Sequence, residues 1–318
     1  MIKKDPHKQL YKSPSELVVL LKERNLKFRD EKKAKTILQE NSYFSLIPYK
    51  DLFLANSIGT YKENVDFLDI YRFYVFDKDF KTHLLRELLE IESKIKSAIA
   101  EVISFRYGTA EKDYLNPSNF DQRSPYVAQT ILKIKKQKAL YGKKSERLRY
   151  YQRKHYGRCP FWVLSHVITI GALRDFYLIL KPNDSDAVAR TVFSRPIKHP
   201  SRRLGTIIAF LADVRNMCAH DEPMVGFVHK RLDIGPFPEH EKLHILKTKE
   251  GNPLGGRKDV LAVLLSIKYL VSKADFHKFM CIIVSDVNGL CKDLSNCSKK
   301  DILSAIGLCD NYQSLDQQ

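Results

Sequence analysis

Apolar positions recur at three- and four-residue spacing along most of this chain, the period of helices that bury one face. Ser13-Pro14-Ser15-Glu16 supplies an N-cap serine, a proline at the first helical position and a glutamate at N3, so a helix is predicted from there to about Arg24. Asp30 can cap a second helix through Glu40, and the stretch from Asn41 to Tyr49 reads as an aromatic-rich turn ending at Pro48. The pattern then predicts a helix over residues 66–76 and a long one over 79–106, where Leu85, Leu88, Ile95, Ile99 and Val102 share a face and Gly108 supplies the stop. Asn116-Pro117 and Ser124-Pro125 are turn signals, followed by a basic helical region ending at Arg158. Further helices are predicted over 160–180, closed by Pro182, over 201–219, and near 258–272, 274–293 and 299–307. Residues 221–257 hold four prolines and five glycines and read as loop, with a short hairpin about 243–247. No internal repeat is visible, and the fold class expected is all-α.

One position breaks the apolar stripe. Glu92 falls between Leu88 and Ile95 at three- and four-residue spacing, where the core should be. Either it sits at the wet edge of a wider stripe, or it is buried and requires a cationic or donor partner inside the fold.

Composition then narrows the class. Hydrophobic residues make up 44% of the 318 positions, with 13 Gly and 13 Pro, which is a folded protein large enough to stand on burial alone. The N-terminal Met1-Ile2-Lys3-Lys4-Asp5-Pro6-His7 has charge with no apolar run behind it, so no secretory signal is read there. The apolar stretches 161–173 and 260–271 are broken by His166 and Lys268 and fall short of the ~20 residues a span requires. A cytoplasmic protein without a membrane partner is expected. Cys159, Cys218, Cys281, Cys291, Cys297 and Cys309 form no Cys-x-x-Cys pair, so neither zinc nor a disulfide framework is indicated, and no metal or cofactor is expected. His240 and His244 lack further ligands, 251–256 is a turn without a following Gly-Lys-Ser/Thr, and His166 reads as a core histidine.

The charge is uneven. Of the formal +17, ten units lie in residues 131–158, where Lys133, Lys135, Lys136, Lys138, Lys143, Lys144, Arg147, Arg149, Arg153, Lys154 and Arg158 face only Glu146. Tyr141, Tyr150, Tyr151 and Tyr156 interleave with these cations. Phosphate contact with some base stacking suits that mixture, and RNA is the partner it points to.

Candidate chemistry lies near the end of the 201–219 helix. Phe210, Leu211, Val214, Met217 and Cys218 form its apolar face, and Asp213, Asn216 and His220 a polar stripe. At about 100° per residue Arg215 stands about 140° round from His220, so the two would meet only through the reach of the arginine, a bend, or a second chain. RNA cleavage needs no metal if a histidine moves the proton of the 2′-hydroxyl or of the leaving oxygen, an arginine stabilises the phosphorus-centred charge, and an amide orients the phosphate. His220, Arg215 and Asn216 are the residues of those types.

Arg215-Asn216-Met217-Cys218-Ala219-His220 resembles the Arg-Asn-x-Cys-Ala-His signature of the Abi-like abortive-infection proteins, the AbiD/AbiF group, within the HEPN superfamily and its Arg-x4-6-His motif. The resemblance includes Leu20 to Leu26 with Asp30 to Ala34, Asn41 to Leu46, Phe67 to Tyr71 with Tyr74 to Asp77, Ile91-Glu92, His155-Tyr156-Gly157, Pro160-Phe161-Trp162 and Ile170 to Leu173, in order over roughly residues 15–228. It implies a HEPN-type helical bundle core, metal-independent endoribonuclease activity of a toxin-like, antiviral kind, and a homodimer in which the Arg/His motifs of two copies meet. A structured small RNA is a further partner it implies. Glu92, matching the family's Ile-Glu pair, becomes a supporting residue for Arg215 or Asn216, and Asp213 a second one. The chain departs after the signature, where the family has a second His and an Arg-Leu-Trp-Asn-Arg-like run but Asp221-Glu222-Pro223-Met224 stands here, with His229, Lys230 and Arg231 as possible substitutes. The expected organisation is a helical lobe over 1–60, a core over 61–229 and a loop with C-terminal helices over 230–318 packed on that core. A non-catalytic RNA-binding regulatory protein is the alternative, since a basic surface serves either.

Overall fold

The computed structural model describes residues 11–317, and the leader reading of Met1 to His7 lies outside them. The described residues contain no strand, only isolated bridges such as Lys27 to Asp66 and Leu54 to Tyr61. The all-α expectation holds.

Helix α1 (Pro14–Glu23) carries the capping box read from Ser13 and Glu16, and α2 (Glu31–Glu40) is capped by Asp30, whose carboxylate accepts from the Lys33 amide at 2.8 Å. The aromatic turn winds into a helical turn, α3 (Tyr43–Leu46), and a 3-10 turn over Ile47–Tyr49. The two helices predicted over 66–106 are one: α4 runs unbroken over Phe67–Tyr107, 41 residues, to the Gly108 stop. In the expected gap between them Asp77 is buried, accepting from the Tyr49 hydroxyl at 2.7 Å and pairing with Lys81 at 3.1 Å. A partnered acid is compatible with the middle of a helix, so the break disappears.

After α5 (Glu111–Tyr114), the basic region forms α6 (Val127–Gly142) and α7 (Glu146–Lys154), separated by a turn at residues 143–145 that Ser145 closes as the α7 N-cap. The predicted helix over 160–180 divides into α8 (Phe161–Leu164) and α9 (Ile170–Leu178). Val167-Ile168-Thr169 is β-branched, and Thr169 caps α9 while its amide and hydroxyl both bond the Gln137 amide group of α6, at 2.9 and 3.1 Å. Pro182, read as a stop, opens the unpredicted α10 (Pro182–Val192), where its fixed φ suits the first helical position. Then follow α11 (Pro200–Ala219), α12 (Glu239–Lys242), α13 (Val260–Leu270), α14 (Lys273–Asp293) and α15 (Lys299–Ile306), with a single bridge, Lys247 to Pro253, where the hairpin was expected.

α4 is the central post: α8, α10, α11, α13 and α14 all pack on it. One hydrophobic core runs from Val18 of α1 to Leu315, so the first and last helices share it with the middle of the chain. No helix among the described residues is long and apolar enough to cross a membrane.

Candidate functional site

The apolar side of α11 is buried as read: Phe210, Leu211, Val214 and Cys218 are inside, and Met217 packs against the core. The helix ends at His220, which caps it with φ −102°, while Asp221 takes the left-handed conformation at φ 57° and the Glu222 amide bonds back to the Met217 carbonyl at 3.0 Å. This left-handed closing turn carries the chain away from the helix axis. Asp221 is held to Lys81 of α4 at 2.6 Å, and the Met224 amide donates to Asp77 at 3.1 Å. Burial pushes the Asp77 carboxyl up, against the pull of Lys81 and the Tyr49 hydroxyl. The post-signature residues that depart from the family pattern therefore pin His220's turn to the central helix.

Glu92 is 8% exposed, which settles its ambiguity in favour of burial. Its Oε1 pairs with Lys96 at 2.7 Å, and its Oε2 faces Arg215 Nε at 3.6 Å. Oε2 and that Nε are both buried without a hydrogen-bond partner, so the guanidinium is held by charge and not by a closed hydrogen bond. Arg215 Nη1 also donates to the Asn216 side-chain oxygen at 3.3 Å.

Glu92, Lys96, Arg215 and Asn216 line an open cleft of about 690 Å³, completed by Tyr141, Lys144 and Ser145 at the α6–α7 turn and by residues 166–171 at the α8–α9 break. Three cations face one carboxylate. The basic segment thus reaches Arg215 through its turn and not along its length. Within it Lys133 pairs with Asp175 and Lys138 with Glu111, so these two are partly neutralised, whereas Lys135, Lys136, Lys143, Lys144, Arg147, Arg149, Arg153, Lys154 and Arg158 are exposed, Lys154 lying over the Tyr150 ring at 4.8 Å. Tyr141 also borders a second hollow with Lys133 and Lys136, so the cation-lined surface continues along α6.

Two expected members stand apart. His220 is exposed, outside the lining of this cleft, and its ring makes no hydrogen bond among the described residues. Asp213 turns to the other side, its carboxylate 3.1 Å from His229 Nε2. The His229 Nδ1 accepts from the amides of Arg231 and Leu232, so the proton resides on Nε2 and is donated to Asp213. His229 is a structural clasp, and its ring is not free to replace the second histidine of the family pattern. Cys218, inside the signature, is pushed up to about 12 by burial and stays a thiol.

His166 overturns its reading. It is exposed at the α8–α9 break, lines the cleft, and its ring finds no hydrogen-bond partner among the described residues. Burial, with Lys96 and Arg147 nearby, lowers its pKa from the ordinary histidine value. The signal that could have found it is the N-cap Thr169, which opens a new helix after His166 and so takes His166 out of a continuous apolar stripe.

His240 is likewise spoken for, its ring accepting from the Phe237 amide at 2.9 Å and bonding the Gly256 carbonyl at 3.0 Å. One group among the described residues offers metal-ligating atoms together, His277, Cys281 and Asp316, on α14 and the C-terminal turn, on none of the elements lining the cleft. Its ring Nδ1 is already bonded to Asp316 at 2.7 Å.

An all-helical protein with an open, cation-lined cleft whose arginine is anchored by a buried glutamate is the class these observations define. Within it, the family model described as Abi-like protein matches residues 36–225, and the chain belongs to that family. That membership suggests a role in abortive infection. The match covers the aromatic turn, α4, the cleft and the whole signature, and begins after Leu20 to Ala34, which the resemblance had included. No curated protein and no solved structure matches the chain.

Proposed function

We propose that this protein is a metal-independent endoribonuclease of the HEPN type, acting in the cytoplasm in abortive infection, with RNA bound along the α6–α7 face and into the Arg215 cleft. Arg215 stabilises charge on the phosphorus, Asn216 orients the phosphate, and His220 accepts the 2′-hydroxyl proton as that oxygen attacks or donates one to the departing 5′-oxygen. The product end is a 2′,3′-cyclic phosphate. The observation that carries the reading is the Glu92-anchored Arg215 in a cleft bordered by Lys96 and Lys144. A buried carboxylate holding an arginine at a solvent-open cleft fixes the fork for a phosphate.

The exposed His220 outside that cleft favours a composite site, in which the histidine of one copy serves a phosphate held by its partner. The same observation favours the second reading, an RNA-binding regulator that does not cut. Labelled structured and unstructured RNAs incubated with and without EDTA separate the two. Cleavage unaffected by EDTA and at least ~100-fold slower in His220→Ala is expected; tight binding with the RNA intact for wild type and variant overturns the enzyme in favour of the regulator.

A further inference from the structure

We propose that the Arg215 cleft is a phosphodiester-binding subsite in which His166 contacts the RNA strand as a proton-carrying ligand beside Lys96, Lys144 and Arg215. This rests on the reading of RNA as the ligand of that cleft and adds a residue that neither the signature nor the basic segment contains. Three observations converge. His166 is exposed and lines the cleft, and its ring has no hydrogen-bond partner among the described residues, so it is available to a bound group. The groups facing it are Glu92 and Lys96 from α4, Tyr141 from α6, Lys144 and Arg147 from the α6–α7 turn and the start of α7, and Arg215 from α11. The cations outnumber the one carboxylate, and that carboxylate is committed to Lys96 and Arg215. Third, α9 begins at the cleft, and Gly171 of its first turn lines it with open space beside it, so the wall there is backbone and leaves room for a strand.

The sign follows from the surroundings. In the free protein burial and the neighbouring Lys96 and Arg147 favour the neutral ring. A phosphodiester seated in the cleft favours the protonated ring, so the proton affinity of His166 rises on binding. Affinity for RNA is then highest below the free-state midpoint of His166 and falls as pH rises through the interval between the free and bound midpoints. Tyr141, exposed on the rim, supplies a ring on which an adjoining base can stack.

The probe is a short 2′-O-methyl oligoribonucleotide, which carries the charge of RNA, has no phosphate ionising near neutrality, and lacks the hydroxyl that cleavage consumes. Binding is therefore read whether or not the protein is a nuclease. For the full chain, affinity is expected to fall about threefold or more between about pH 6 and about pH 8. His166→Gln should abolish most of that fall, and Lys144→Met should weaken binding at both ends. In ring-labelled wild-type protein the His166 NMR titration midpoint should move upward on adding the oligomer. An unchanged pH slope in folded His166→Gln, or an unmoved midpoint, overturns the proposal. A nucleoside monophosphate binding as tightly as the oligomer overturns the strand as the ligand.

Discussion

Glu92 shows how much one residue can carry. An acid in an apolar stripe is a signal because burial of an unpaired carboxylate is costly, and α4 buries it against Lys96 and Arg215. If it positions the arginine, Glu92→Gln keeps a hydrogen bond to Lys96 but loses the charge that faces Arg215. The expected result is cleavage lowered about tenfold with the thermal midpoint nearly unchanged; activity equal to wild type removes the positioning role. His166 teaches the reverse lesson. Its sequence neighbours are apolar, and only the break before Thr169 brings it to the surface.

At the level of elements, α4 and the turn after α11 depend on one another. Lys81 sits between Asp77, inside, and Asp221, in the left-handed turn that follows His220. Lys81→Met would leave Asp77 buried without its cation, a change expected to cost about 3–5 kcal/mol in urea denaturation. Adding Asp77→Asn to it should recover much of that loss, since the uncompensated charge is then gone; no recovery would mean that the loss arises from the freed Asp221 turn alone. The helices that depend on caps were legible where the cap was read: Ser13 and Asp30 accept the amides their sequence positions assign them, whereas the Thr169 cap inside the expected 160–180 helix was not read. The unbroken α4 and the opening of α10 at Pro182 were not, because a local pattern of charges or a proline does not say whether a tertiary partner satisfies it.

For the whole molecule, the excess charge divides into cations that hold the fold and cations that face solvent. Lys133 and Lys138 belong to the first kind and Lys135, Lys136, Lys143 and Lys144 to the second. Replacing the latter four by Gln should flatten the dependence of log affinity for single-stranded RNA on log salt by about 3, the shift expected from four lost phosphate contacts. Replacing Lys133 and Lys138 should flatten it less. Equal effects from both sets would show that the ion pairs with Asp175 and Glu111 do not persist in solution. The family match over residues 36–225 spans both the α6–α7 face and the signature.

The sequence by itself determined the helical class, the caps, the buried face of α11, the basic segment and the signature that links this chain to the Abi-like family, because these depend on residue type and short-range spacing. Only the tertiary structure decided that Glu92 faces Arg215, that the basic segment meets the cleft at Lys144, that His229 is consumed by Asp213, and that His166, not His220, shares the cleft with the arginine. Those outcomes depend on how helices far apart in sequence cross at α4, and periodicity along one helix has no access to that geometry.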